Sequence, residues 1–111
     1  MAKTVVVDGV TYVEAQKFSD YAMVRTRSAG AFAGHILKTD GQHYTLSDSR
    51  RIWYWDGAAS LSQLATEGTA KPDKCKFPQA VDCVELYEVI EVIPMTEKAK
   101  KSIDAVKVWK Q

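Results

Sequence analysis

The arginines are the residues whose type and spacing best suit ligand chemistry. All four, Arg25, Arg27, Arg50 and Arg51, lie between residues 25 and 51, whereas the other eleven basic side chains are lysines. Lysine thus supplies the general surface charge, and arginine is used where a planar, forked donor is needed. Guanidinium groups bind carboxylate or phosphate through two parallel hydrogen bonds. The cluster therefore indicates a site for an anionic group.

A second set of residues is the aromatic run at positions 53–55 (Trp-Tyr-Trp), which we predict to lie in a strand over residues 50–55. Successive side chains of a strand point to opposite faces. Arg51 would then share a face with both tryptophans, and the strand with Arg25 and Arg27 could lie beside it. Arginine for phosphate and flat rings for a base together favour a nucleotide-type ligand. The predicted ligand-binding residues are Arg25, Arg27, Arg51, Trp53 and Trp55.

Structural roles are the alternative for both sets. The arginines could instead form salt bridges that cover the sheet, with Asp48, Asp56, Glu85 or Glu91 as partners. The aromatic residues could fill a core on both sides of the sheet, or one face could present them to a partner protein or a second subunit. A 111-residue chain with outward aromatic residues commonly hides them in a two-fold interface, so we expect a homo-oligomer.

Other chemistries have weaker support. His35 and His43 flank a predicted turn, but Asp40 is poorly placed to complete a metal site, and we expect no metal. The serines have no nucleophile-elbow context, and there is no glycine-rich phosphate loop. We therefore expect a non-enzymatic protein without catalytic residues or a cofactor. Cys75 and Cys83 match no zinc pattern and are expected to be reduced thiols, with a loop-closing disulfide as the alternative.

Composition limits the range of partners. The formal net charge is +1, so no overall field attracts nucleic acid, and nucleic-acid binding is not expected. No apolar run approaches the roughly 18 residues of a membrane span, and the N-terminus does not resemble a signal peptide. These features predict a cytoplasmic protein that does not bind membranes.

The elements that would position these residues can be read from hydrophobic periodicity and turn signals. Residues 4–14 form a predicted hairpin around Asp8-Gly9, and two glycines around small residues at 30–34 indicate a close backbone approach. Predicted strands cover residues 22–27, 35–38, 43–46, 50–55 and 81–93. One predicted helix is capped by a Ser60/Gln63 box and ends before Gly68, with an earlier start capped by Asp56 as the alternative. The second predicted helix follows Thr96. This order indicates an α+β fold: a mainly antiparallel sheet of five to six strands with two short helices packed against it.

Three segments resemble a family of small, functionally uncharacterised proteins of bacteriophages and prophages. They are residues 23–34 (MVRTRSAGAFAG), residues 50–65 (RRIWYWDGAASLSQLA), and residues 88–94 (EVIEVIP) followed by Thr96 to Ala99. The length suits one domain over residues 1–111. The resemblance implies that residues 22–111 are the family core and leaves residues 1–21 outside it as an N-terminal hairpin extension. It implies work in the cytoplasm of an infected bacterium and supplies no site residues.

Two kinds of function follow as hypotheses. The first is a phage counter-defence protein that sequesters a nucleotide-type signalling ligand. The second is a virion accessory protein or a module that binds a host protein through its aromatic face.

Overall fold

The computed structural model describes residues 20–111 in full and, before them, the backbone of residues 4–7 and 10–13. Seven strands and two helices follow one another in chain order. They are β1 (Thr4–Val7), β2 (Val10–Val13), β3 (Tyr21–Thr26), β4 (Ala31–Asp40), β5 (His43–Ile52), α1 (Leu61–Glu67), β6 (Val81–Leu86), β7 (Val89–Pro94) and α2 (Glu97–Ala105). A 3-10 turn, Pro72–Lys74, lies between α1 and β6.

The two N-terminal strands pair with each other as predicted. They form an antiparallel ladder with Thr4 opposite Val13 and Val7 opposite Val10. The predicted Asp8-Gly9 turn lies outside the described residues.

The other five strands form one antiparallel sheet in the order β6-β5-β4-β3-β7, which confirms the predicted α+β class. β6 and β7 lie at opposite edges of this sheet, yet only Tyr87 and Glu88 separate them in the chain. Three Cα–Cα steps span at most about 11 Å, so the two edges approach each other closely at this end. The sheet is therefore strongly curled, and Val89 N–H donates to the Gln42 carbonyl across the gap at 3.0 Å.

Curling gives the sheet an inner and an outer core. The inner face buries an apolar cluster that includes Val24, Phe32, Leu46 and Leu86. The outer face, which carries Met23 and Ile52, is covered by the helices through Leu64 and Ile103 and by Phe77 from the segment before β6. Met23 and Val24 are both completely buried on opposite faces of β3, which shows that the strand is covered twice. This explains why neither face of the sheet is uniformly polar.

The predicted break at residues 47–49 is wrong. β5 runs without interruption from His43 to Ile52, and the polar residues form a bulge in which Asp48 has a positive φ of 49°. The bulge faces Gly34, where a Cβ atom would lie 3.0 Å from the Ser49 Cα. The predicted close backbone approach is thus confirmed, because only glycine gives this space freely.

The predicted single strand over residues 81–93 is also wrong, because the chain turns at Glu88, which has a φ of 55°. Leu86 and Val89 are three residues apart, and both face the inner core. Side chains three residues apart point to opposite faces of a continuous strand, so this apolar pattern requires a break.

The helix signals are confirmed in most details. Ser60 accepts the N–H of Gln63 at 3.2 Å, and the Gln63 side chain accepts the N–H of Ala59 at 2.8 Å. Thr96 caps α2 in the same way, accepting the N–H of Ala99 at 3.1 Å. The first helix begins at Leu61, directly after the predicted Ser60 cap, and the alternative start after Asp56 is wrong. Within the described part of the chain, no helix is long and apolar enough to cross a membrane.

Candidate functional site

A cleft of about 630 Å³ lies where the β3–β4 turn, the end of β5 and the start of α1 meet. Four of the five predicted ligand-binding residues line it: Arg25, Arg27, Trp53 and Trp55. The strands that carry them are not neighbours, because β4 lies between β3 and β5. They come together across Ala31, which pairs with Arg25 on one side and Ile52 on the other. The small Ala31 side chain leaves the space between the arginines and the tryptophans open.

One wall of the cleft carries charge. Arg25 lies directly opposite Glu91 in the sheet, and its Nε atom donates to the carboxylate at 3.1 Å. The predicted salt-bridge alternative therefore applies to this residue, although about half of the Arg25 side chain stays exposed. Arg27 is exposed, and its guanidinium has no hydrogen bond or ion pair with any residue from 20 to 111. Arg27 is thus the cation of the cleft that is free to meet an anion.

The turn next to Arg27 is held by local hydrogen bonds. The Thr26 hydroxyl donates to the Gly30 carbonyl at 3.0 Å and accepts the N–H of Ala29 at 2.8 Å. Gly30 adopts a φ of 94°, a conformation that favours glycine. Arg27 N–H donates to the Glu88 carbonyl at 3.0 Å. These bonds fix the backbone that carries the guanidinium, so the side chain alone needs to move on binding.

The opposite wall is aromatic. β5 ends at Ile52, so the predicted strand over residues 50–55 is wrong in its second half. Trp55 is half-buried against the outer core and donates from Nε1 to the Ala58 carbonyl at 3.3 Å. Trp53 is 62% exposed and lies nearly parallel to Trp109, with ring centroids 6.4 Å apart. Trp55 is therefore a fixed wall, and Trp53 offers open ring surface.

Arg51 does not belong to this cleft. Its guanidinium lies over the Phe32 ring at 4.4 Å, and Nη1 donates to the Ala29 carbonyl at 2.7 Å. Phe32 belongs to the inner core, whereas Trp55 packs against the outer core. The prediction that Arg51 shares a face with Trp55 is therefore wrong, since the alternation of the strand stops at Ile52.

Arg50 is a structural residue. It is 6% exposed, and its guanidinium donates to three backbone carbonyls, those of Pro78 at 2.9 Å, Ile103 at 2.7 Å and Phe77 at 3.1 Å. Burial lowers the pKa of Arg50, and the neighbouring Tyr21 and Asp104 partly oppose that effect. The guanidinium is used entirely in joining β5 to the segment before β6 and to the end of α2.

The histidines lie apart and have separate partners. His35 Nδ1 is 2.8 Å from Asp20, whereas His43 Nε2 is 3.2 Å from Glu85 and its ring stacks on Tyr87. No group of three potential metal ligands occurs among the residues that the structure describes. Cys75 is a buried free thiol and Cys83 an exposed one.

Several cleft residues were not predicted. Ser60, Leu61 and Ser62 complete the wall beside the tryptophans, and Glu91 completes the charged wall. Periodicity assigned Ser60 to a helix cap and Glu91 to a possible salt bridge, but neither signal locates a cleft. The lining can hold an anion at Arg27 and a flat group against the tryptophans.

Comparison with known proteins gives one match. No curated protein and no solved structure matches this chain. The family described as Domain of unknown function (DUF6948) matches residues 19–103, which include both walls of the cleft. Since this match covers well over half of the 111 residues, the chain belongs to the DUF6948 family.

Proposed function

We propose that this protein is a non-enzymatic binding protein whose cleft takes a small nucleotide-type ligand. The observation that carries the proposal is the position of the Arg27 guanidinium, which is unpaired among residues 20–111, in the same cleft as the rings of Trp53 and Trp55. Guanidinium groups recognise phosphate oxygens, and tryptophan rings stack on bases. A nucleotide carries a phosphate and a base in one molecule.

The state of the two walls supports a binding role. An exposed Trp53 ring is unfavourable in water unless something covers it, and a ligand base would do so. Trp55 is held by its bond to Ala58 and loses little conformational entropy when a ligand packs against it. Arg25 is paired with Glu91 in the same cleft, so it adds hydrogen-bond donors there while Arg27 supplies the net positive charge.

The biological setting is part of the proposal. From the resemblance to phage and prophage proteins, we propose that the protein acts in the cytoplasm of an infected bacterium as a counter-defence protein that sequesters a nucleotide-type signal. A homo-oligomer would place several clefts in one particle. Nucleic acid and membranes have no part in this proposal, because the formal net charge is only +1.

The test is a thermal-shift measurement with a panel of cyclic nucleotides and ADP-ribose derivatives, combined with native mass spectrometry. A ligand at one hundred times its Kd stabilises the folded state by about 2.7 kcal/mol, which raises the Tm of a domain of this size by about 10 °C. Native mass gives the number of ligands and the number of subunits. No shift with any member of the panel would refute the proposed function.

Matched variants tie a shift to the cleft. Arg27→Gln removes the free cation and should weaken binding about 10- to 100-fold, the loss expected for a charged hydrogen bond. Lys101→Gln removes an exposed cation outside the cleft and should change nothing. Trp53→Ala should abolish the shift, whereas Tyr87→Ala removes an equally exposed ring elsewhere and should preserve it.

A second candidate function is favoured by the exposed aromatic surface. Trp53, Tyr54 and Val108 are between 41% and 62% exposed, and the Trp109 ring lies alongside Trp53. Such a surface suits a protein partner, either a host protein or a virion component. If a protein partner covers this surface, Tyr54→Ala should impair the protein's function during infection as strongly as Trp53→Ala. If the cleft binds a nucleotide, only Trp53→Ala should impair it.

A further inference from the structure

A second pocket, of about 330 Å³, lies on the other side of the sheet, where β4, β5 and β6 meet the segment before β6. Its lining combines polar and apolar groups. The polar residues are Ser49, Arg51, Gln79 and Cys83, and the apolar ones include Phe32 and Val84. None of these six residues lines the larger cleft, so the two sites share none of them.

Arg51 brings an unneutralised positive charge to this pocket. The residue is half-buried, and its guanidinium lies flat on Phe32. Only Nη1 is used, in the bond to Ala29, and the guanidinium forms no ion pair with a described residue. A partly buried cation without a counter-ion is electrostatically unfavourable, and a bound anion would relieve it.

Ser49 adds an unused hydroxyl group. The residue is 2% exposed, and its Oγ atom has no hydrogen-bond partner among the residues that the structure describes. Native proteins rarely bury a hydroxyl group in this state, so such an atom calls for an explanation. A ligand oxygen in the pocket would accept a hydrogen bond from it.

We propose that this pocket binds a small organic carboxylate. The carboxylate would meet the guanidinium of Arg51 and the hydroxyl group of Ser49, and the apolar part of the ligand would contact Phe32 and Val84. Arg51 is the one charged residue in the described lining. A singly charged carboxylate therefore matches the site, whereas a doubly charged phosphate would remain half neutralised.

Cys83 provides a readout at the site itself. Its thiol is free and exposed and belongs to the pocket, whereas the other cysteine, Cys75, is buried. Alkylation of the protein by iodoacetamide, followed by intact-mass spectrometry at constant pH and ionic strength, measures access to the pocket. Loss of fast labelling in Cys83→Ser confirms which thiol reacts.

The probes are butyrate and benzoate, with butyramide and benzamide as uncharged controls of the same shape. We expect the carboxylates to slow the labelling of Cys83 in a saturable way, about tenfold at ten times the Kd, and the amides to have no effect. Arg51→Gln should abolish this protection and Ser49→Ala should weaken it several-fold. Arg27→Gln, which alters the other cleft, should leave it unchanged.

Three results would overturn the proposal: equal protection by the amides, carboxylate protection that survives Arg51→Gln, or no protection by any carboxylate. A thermal melt of each variant checks folding. If Arg51→Gln is unfolded, Arg51→Lys takes its place, because it keeps the charge but not the fork. Arg51→Lys should bind the carboxylates more weakly than the natural protein does. It should still bind the carboxylates more strongly than it binds the amides.

Discussion

Replacing Arg50 with methionine tests the interpretation of the arginine pair most directly. Arg50 and Arg51 are adjacent in the chain, yet the first is 6% exposed and bonded to three carbonyls, whereas the second donates only to Ala29. Methionine fills much of the same volume without the guanidinium. The same substitution at Arg51 is the matched control.

The expected loss of stability in Arg50→Met follows from the hydrogen bonds that the three carbonyls bound to Arg50 would lose. The Phe77 carbonyl keeps a bond from Trp109 N–H at 3.0 Å, and the Ile103 carbonyl keeps one from Val106 N–H at 3.1 Å. The Pro78 carbonyl has no other donor in the described part of the chain. Leaving this partly buried acceptor without a donor costs about 1–3 kcal/mol, and losing the two other hydrogen bonds costs about 1 kcal/mol each. Removing the buried charge offsets part of this cost. We therefore expect Arg50→Met to lower the free energy of unfolding by about 3 kcal/mol.

Urea unfolding measures this loss. With a slope of about 2 kcal/mol per molar urea, 3 kcal/mol lowers the midpoint by about 1.5 M. Arg51→Met should lose no more than about 1 kcal/mol, because it gives up one exposed hydrogen bond and a contact with Phe32. A loss below 1 kcal/mol for Arg50→Met, or equal losses for the two variants, would refute the structural role assigned to Arg50.

Three further predictions concern stability. Burial, with the carboxylates of Asp104 and Asp48, raises the pKa of Tyr21 far above its usual value near 10. The unfolded chain therefore loses this proton first, and stability falls above pH 10 by up to about 1.4 kcal/mol per pH unit; Tyr21→Phe should flatten that slope in urea titrations. Gly34→Ala places a Cβ atom 3.0 Å from the Ser49 backbone and should cost about 1–3 kcal/mol, measured by thermal melting. Glu88→Val should be at least about 1 kcal/mol less stable than Glu88→Gly, because φ is 55° there, and equal midpoints in urea would contradict this.

Local signals in the sequence predicted local structure well. The caps at Ser60 and Thr96 were predicted because a cap needs only a side chain and an N–H group three residues later. Gly34 was assigned a close backbone approach, and the structure has one. The α+β class was predicted as well, since it depends on the order and periodicity of the segments.

Signals that depend on curvature were misread. The bulge at Asp48 looked like the end of a strand, because polar residues of the Ser-Asp-Ser type suit a turn equally well. β6 and β7 looked like one strand, because periodicity in a short window cannot show that its two halves lie at opposite edges of a curled sheet. Both errors concern a positive φ at a single residue, which composition does not reveal.

The candidate site was likewise predictable only in part from the sequence. Residue types alone suggested anion and ring binding, and they named four residues that line one cleft: Arg25, Arg27, Trp53 and Trp55. Only the tertiary structure decided which arginine is buried, which is paired and which is free. That outcome depends on the partners opposite each guanidinium, such as Glu91 for Arg25, and these come from segments distant in the chain. A sequence shows which side chains are present, but burial and pairing are properties of the space between elements, and folding alone creates that space.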